Sequence, residues 1–505
     1  MTDSIAYPPG DSRHESIREA FSSENLQSLA HRLADIIGEH MSSVARCDGR
    51  VLNWENPPEN VAQARAILDA AADEIAGDLT GRFESIVREM LQRGHNLHDP
   101  RYIGHQVPAP VPIAGLFDAV GAITNQVMAI YEMGPWSTSV ERAMVERLGE
   151  QIGWPADSFA GLVTHGGSLG NLTALLTARN VALGDAWEVG LSSRGSAPVV
   201  IAHQDAHYSV SRAAGVIGVG IEQVLRCGLD SKRRMDPNQL DELLSDLRNR
   251  NVPIVAVSGC SCATPIGAFD PLTEIAEVCR RHKVWLHVDA AHGGAACLSR
   301  KYRHLVAGLD EVDSLVMDAH KMMFVPALCA FVFYRNKEHR FETFRQDAPY
   351  LFDPSAPGLA EYDSGMLTPE CTKRAATFGL WGTWSLFGPE LFKDMVDQTF
   401  DLGRTFYEML VEAPDFEPVH EPECNIVAFR YVPDELRDAP EERIAQFLFD
   451  LRRDLIRSGE FYIVQASIEG RQTLRVTIIN PLTTRDHLAG LMDALRRRGA
   501  GILQT

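Results

Sequence analysis

Four short segments carry residue types that could serve one reaction. In VWLHVDAAHGGA an apolar run ends on Asp289, and a carboxylate directly after a buried strand needs a cationic ligand at the sheet edge, or serves as a helix N-cap. Thirty-two residues later, DSLVMDAHKMM sets Lys321 beside Asp318 and His320 and ahead of Met322, Met323 and Phe324. An amine in that setting is expected to be desolvated, its pKa pushed down, and so nucleophilic toward carbonyls as a Schiff-base former; a surface lysine at a strand end is the plainer alternative. THGGSLGNLTALLTAR places Gly166, Gly167, Ser168 and Gly170 ahead of a helix running from about Asn171. Glycines let backbone amides approach an anion, and the helix start adds partial positive charge, so a phosphate fits. AHQDAHYSVSRAAG holds His203 and His207 four residues apart, a metal pair if both lay on one helix. Gln204-Asp205-Ala206 reads instead as a loop leaving a strand, so His207 alone is expected to face the site and stack on a flat cofactor, with an ordinary loop histidine as the alternative. Cys260 and Cys262 have CxC spacing but no second Cys/His pair, so they read as core residues and no metal is expected. A carboxylate to face a pyridine nitrogen, an imine-forming lysine, an anion-binding helix start and a covering ring are together the needs of pyridoxal phosphate.

The elements that must position these groups follow from apolar patterning. From Ile113 to about Gly388, short β-branched runs alternate with amphipathic helices: AGLVTH, APVVIAH, VPIVAVSG, KVWLHVDA and DSLVMDA are apolar throughout. Such strands predict a mostly parallel sheet buried on both faces, with ligands at the strands' carboxyl ends. Before it, residues from about Gln27 to Arg93 are helical by spacing, broken at WENPPEN. After Leu391 the order reads helix, strand Asn425 to Tyr431, helix, strands Phe461 to Ala466 and Thr473 to Ile479, helix. The expected division is an N-terminal helical segment over 1–105, a large α/β domain over 106–390 and a small α+β domain over 391–505.

Composition excludes several other classes. Across 505 residues, 48 Lys+Arg against 68 Asp+Glu give a net charge of −20, which repels a phosphate backbone, and no dense basic block reverses it. Nucleic acid is not an expected partner. No apolar stretch reaches the ~18 residues a membrane helix needs, and the first residues lack a secretory pattern. Nine scattered cysteines, several inside apolar runs, suit a reducing cytoplasm.

At HVDAAH, DAHK, YEMGP with the following ER and IGW, and the GG-S-x-x-N turn, the sequence resembles the group II pyridoxal-phosphate-dependent amino-acid decarboxylases, from about Asp99 to Pro481. The resemblance implies the aspartate aminotransferase type I fold and a homodimer with the active site at the subunit interface, the N-terminal helices wrapped around the partner. It implies that Lys321 carries the cofactor, that Asp289 pairs with the pyridine nitrogen and that His207 stacks on the ring. Gly166, Gly167, Ser168, Ser314 and His320 would surround the phosphate, and Thr264 would lie beside the cofactor. Arg475 in LRVTIINP matches an arginine that holds a substrate carboxylate, and His105 with Gln106 falls near the side-chain pocket; a strand-end salt bridge is the alternative role for Arg475.

Departures are informative. The usual Gly-Thr-Thr run reads Cys262-Ala263-Thr264, Gly170 stands where Ser is common, and Asp318 replaces the Asn of the aromatic enzymes. Tyr350 matches the aromatic enzymes' loop tyrosine, which protonates the substrate carbon, whereas Gly358 occupies the glutamate enzymes' position; Tyr362 and His207 are alternative donors. The expected function is decarboxylation of an L-amino acid to its amine through a Lys321 Schiff base. Aldehyde synthesis, transamination or carbon-sulfur cleavage on the same fold are the rivals, with a non-catalytic binding dimer as the alternative from another class.

Overall fold

The computed structural model describes residues 12–73, 78–192, 194–344 and 360–504. Two compact units form, one from Met1–Tyr102 with Arg453–Tyr462 and the other from Ile103–Arg452 with Ile463–Thr505. In the first, the helices Ser23–Ala45 and Leu79–Gln92 are tied by Arg32, whose guanidinium makes two bonds to the Glu84 carboxylate at 2.6 and 2.7 Å. Tyr102 stacks on Tyr462 at 5.5 Å, with the His95 ring edge-on to both. Among the described residues, no helix is long and apolar enough to cross a membrane.

The strands in chain order are β1 Val127–Met128, β2 Ala160–Thr164, β3 Val199–His203, β4 Val224–Cys227, β5 Ile254–Cys260, β6 Leu286–Asp289, β7 Ser314–Asp318, β8 Ala330–Tyr334, β9 Lys373–Arg374, β10 Phe416–Pro418, β11 Ile426–Tyr431, β12 Val464–Ile468 and β13 Arg471–Thr477. Seven of them form the central sheet of the second unit in the order β2-β8-β7-β6-β5-β3-β4. The sheet is mostly parallel, as expected, with β8 antiparallel to both neighbours. That reversal has a length argument behind it. Only 319–329 separates β7 from β8, too short for the helical crossover a parallel pair requires. The short connection carries Lys321.

The helix Gly167–Leu183 lies on the sheet, burying Ala174, Leu175 and Ala178 in a core that includes Val200, Ala202, Val316 and Val332. The second, smaller sheet is wholly antiparallel in the order β10-β11-β13-β12. Its β12–β13 hairpin closes through Glu469 and Gly470, both at positive φ (53° and 77°), the two-residue turn whose twist matches the strands it joins. β13 presents Arg475, opposite Ala428 on β11 and Val464 on β12.

Candidate active site

Successive parallel strands end on chemically active residues at one edge of the sheet: Thr164 on β2, His203 on β3, Cys260 on β5, Asp289 on β6 and Asp318 on β7. Beyond that edge lies a cavity of about 680 Å³. It brings together Lys321, Asp289, His207, Gly166, Gly167, Ser168, Thr264, His320, Arg475, His105 and Gln106, residues up to 370 positions apart in sequence.

Asp289 is buried, and both its oxygens are accounted for. Oδ2 accepts from Asn171 Nδ2 at 2.9 Å, and Oδ1 accepts from the Ala291 N–H at 3.2 Å. Lys321 sits in the short helix Ala319–Met322, its Nζ 3.1 Å from Asp318 Oδ2. Here the expectation of a depressed lysine pKa is corrected. Burial does pull the ammonium down, but the Asp318 and Asp289 carboxylates together outweigh it, and the net direction is upward.

Gly166 adopts φ 105°, a conformation that glycine tolerates best, and turns β2 into the Gly167–Leu183 helix. At the next position a Cβ would lie 2.8 Å from each carboxylate oxygen of Asp318, so only glycine leaves the turn that close an approach. Gly167 and Ser168 begin the helix, where backbone N–H groups have no helical acceptor. His320 lines the same region, with Nδ1 2.9 Å from the Cys329 carbonyl oxygen. His207 caps the Tyr208–Val216 helix, its Nδ1 2.8 Å from the Ser209 hydroxyl, and burial holds its pKa below the ordinary value.

Across the cavity Arg475 donates from one Nη to the Thr264 carbonyl at 2.7 Å, while its buried Nε has no partner. Burial lowers its pKa, and His105 is lowered as well, by burial first and then by Arg475 and Arg452. A buried guanidinium with an N–H to spare is suited to an anion. Cys262 also lines the cavity, with its sulfur 3.5 Å from that of Cys424; both are buried, as is Cys260.

Ser314 is the correction among the expected phosphate ligands. It begins β7, at the far end of the strand from Lys321, and its hydroxyl is taken up by Trp285 Nε1 at 2.9 Å and His287 Nδ1 at 3.0 Å. Tyr350 and Gly358 lie outside the described residues. Tyr362 is partly exposed beside Tyr131, with ring centroids 5.8 Å apart, and is not among the cavity's lining residues. Sequence reasoning missed Asn171 as a partner of Asp289, and it missed His287, His292 and the pair His165–Glu370, whose Nδ1 and Oε1 are 2.6 Å apart. One signal was available for His287: it stands two residues before Asp289 on a strand, and so on the same face.

The arrangement fits pyridoxal phosphate. A glycine turn opens a helix start with free backbone N–H groups, the lysine and the aspartate open on the same cavity, a buried Arg475 Nε–H is unpartnered, and a histidine ring stands beside them. The fold and site together define a pyridoxal-phosphate enzyme.

Residues 58–432 match the model of the pyridoxal-dependent decarboxylase conserved domain, and the chain belongs to that family of amino-acid decarboxylases. It is 28% identical over 460 residues to the acidic amino acid decarboxylase GADL1 of Mus musculus, covering 89% of this chain and 82% of the mouse protein. The Homo sapiens GADL1 is 28% identical over 486 residues, covering 94% and 91%. Among solved structures, mouse CSAD in apo form superposes with a TM-score of 0.85 at 26% identity, over 94% of this chain and 99% of that one. An Oryza sativa TDC structure with PLP and tryptamine gives 0.84 at 20% identity over 95% and 99%, a likeness of fold alone.

Proposed function

We propose that the chain converts an L-amino acid bearing an acidic side chain to the corresponding amine and carbon dioxide, with Lys321 holding the cofactor covalently. The observation that carries this reading is the opening of Lys321 and Asp289, from adjacent strands β7 and β6, on one cavity that also holds Arg475. When bound, pyridoxal phosphate supplies an aldehyde for the substrate amine and an electron-poor ring that accepts the electron pair left by the departing carboxylate. Asp289 would pair with the pyridine nitrogen and hold it protonated, so that the ring keeps its capacity to draw electrons. Gly166, Gly167 and Ser168, with His320, hold the phosphate through backbone N–H groups and side-chain donors. His207 would cover the ring. Arg475 orients a carboxylate through its free Nε–H, and His105 with Gln106 receives the substrate side chain. Tyr350 is the proposed donor of the proton to Cα.

The acidic substrate class is supported by the polar lining at His105, Gln106 and Arg475 and by the names of the GADL1 relatives. We further propose a cytoplasmic homodimer. Leu116, Val120 and Ile123 form an exposed apolar stripe on the Pro112–Ile123 helix, a face that a second copy would cover. The expected division into segments 1–105, 106–390 and 391–505 is carried forward as part of this proposal.

The test is product analysis. Purified protein with added pyridoxal phosphate is offered aspartate, glutamate, cysteine sulfinate and representative aromatic and basic amino acids. Carbon dioxide and amine in equal amounts from an acidic substrate support the reading. Ammonia and hydrogen peroxide in place of the amine would overturn it in favour of aldehyde synthesis. Lys321→Ala is expected to abolish both turnover and the borohydride-trappable attachment of cofactor, and sedimentation reports the oligomeric state.

A further inference from the structure

Behind Asp289 runs a series of buried hydrogen bonds that the reaction above leaves unexplained. Trp285 Nε1 lies 2.9 Å from Ser314 Oγ, Ser314 Oγ 3.0 Å from His287 Nδ1, and His287 Nε2 3.0 Å from Asn171 Oδ1. Asn171 Nδ2 then reaches both Asp289 Oδ2 and Ser209 Oγ at 2.9 Å, and Ser209 Oγ lies 2.8 Å from His207 Nδ1. Trp285, Ser314, His287, Asn171 and Ser209 are all buried.

Proton placement along this series is anchored at Asp289 and at His207. An indole N–H can only donate, so Ser314 accepts from Trp285; its hydroxyl keeps a second lone pair and a proton, so it can meet His287 Nδ1 in either role. Because the Asp289 carboxylate accepts, the Asn171 N–H faces it and the Asn171 oxygen faces His287, which therefore carries a proton on Nε2 and donates it there. Both N–H bonds of Asn171 point onward, one to Asp289 and one to Ser209, leaving the Ser209 hydroxyl to donate to His207 Nδ1. The far end agrees independently: the Ser209 backbone N–H, also an obligate donor, lies 3.3 Å from the same Nδ1. With one end set by a carboxylate that accepts from Asn171 and the other by a backbone N–H that donates to His207 Nδ1, the polarity between Asp289, His287 and His207 is fixed.

We propose that Asn171, Ser209 and His287, backed by Ser314 and Trp285, are positioning residues that hold His207 neutral with its proton on Nε2 and present Asp289 purely as an acceptor. Burial drives the pKa of His287 down to about 4 and lowers that of His207, which agrees with neutral rings at both places. For catalysis the consequence rests on the decarboxylase reading: the ring covering the cofactor offers a donor, not an acceptor, to the cavity.

The decisive measurement needs no turnover. Holoenzyme labelled with 15N-histidine is studied by NMR near neutral pH, the His207 signals being those missing from His207→Gln. A neutral ring protonated on Nε2 supports the proposal, and a proton on Nδ1 or on both nitrogens overturns it. Two variant sets separate positioning from mere packing. Ser209→Ala is expected to mix the His207 tautomers, and an unchanged tautomer there would mean that the backbone N–H suffices and the series has no positioning role. His287→Gln keeps an N–H for Asn171, whereas His287→Leu does not. The Leu variant should lose about 10²-fold in kcat with KM nearly held, and the Gln variant should recover most of it; equal losses would count against the proposal. If no substrate releases carbon dioxide, the decarboxylase reading fails while the tautomer result stands on its own.

Discussion

Asp318 does two things with one carboxylate. Its Oδ2 holds Lys321 Nζ at 3.1 Å, and both oxygens press against Gly167 at the start of the phosphate turn. In protein free of cofactor, Lys321 is therefore an ammonium at neutral pH, its pKa raised above the ordinary 10.5 by Asp318 and Asp289 against the opposing effect of burial. Capture of the aldehyde needs the free amine, so the capture rate should climb as pH rises from about 6.5 to 9. Asp318→Asn removes the strongest raising partner and a negative charge beside the phosphate turn, so capture at pH 7 should speed up, about tenfold for each pKa unit released. Stopped-flow absorbance after mixing pyridoxal phosphate with cofactor-free protein measures this, and a slower variant would refute the ion-pair argument. Lys321 and Asp289 were legible because charged residues that end apolar runs are conspicuous. The upward shift was not, because Met322, Met323 and Phe324 suggested desolvation while Asp318, three residues back, contributes the opposing charge. Ser314 was misread for a related reason: its place at one end of a strand becomes clear only when β6 and β7 lie side by side and Trp285 and His287 come within reach.

At the scale of elements, β2 poses a specific problem, since it is an edge strand that must hold the Gly166 turn still. An edge leaves N–H and C=O groups without strand partners, and at Val163 both are buried. Two side chains take the missing strand's place. Glu141, on the helix Pro135–Ile152, accepts the Val163 N–H at 3.1 Å, and Lys373 of β9 donates to the Val163 carbonyl at 2.7 Å and to Glu141 at 2.6 Å. Lys373→Met leaves the buried Glu141 carboxylate without its counter-charge, holding only the Val163 N–H, and leaves the Val163 carbonyl unpartnered, a loss of about 3–5 kcal/mol by the usual cost of breaking a buried pair. Denaturant unfolding followed by tryptophan fluorescence should show a clear drop in midpoint; a change within about 1 kcal/mol would mean that the pair is not the edge's support. In the central sheet β2, β3, β5, β6 and β7 were legible from unbroken apolar runs, as were the N-terminal helices from their spacing, whereas β4 and β8 were not read as strands. The direction of β8 was not legible, because AFVFY reads alike either way and only the length of the preceding connection decides. Three-residue β10 was missed because Phe416–Pro418 is too short to show alternation.

For the molecule as a whole, buried histidines inside the second unit, among them His287, His292 and His420, weigh on how it meets acid. His287 is wholly buried and pushed down to about 4, and His292, bonded through Nε2 to Asn425 Oδ1 at 2.9 Å, is pushed down to about 3; in both, burial is the leading cause. In the unfolded chain both return to the ordinary value near 6.5. Above that pH neither state binds a proton at these rings, and stability is at its full value. As pH falls below 6.5 the unfolded chain takes up two protons that the folded chain refuses, so stability is lost progressively until the folded pKa values are reached, at up to about 1.4 kcal/mol per pH unit for each ring. Asp270 works in the opposite sense. Burial raises its carboxyl, despite bonds from the Cys260 and Met235 N–H groups at 2.7 Å, so protonation there relieves the folded chain as pH drops. A bulk acid titration therefore mixes the two signs, and a variant must separate them. His287→Gln keeps the donor to Asn171 but cannot titrate, so its melting temperature should fall less than the wild type's between about pH 7.5 and 5, the offset between the two curves becoming constant on the alkaline side. Parallel curves over that interval would show that His287 is protonated equally in both states, contrary to the burial that the fold imposes on it.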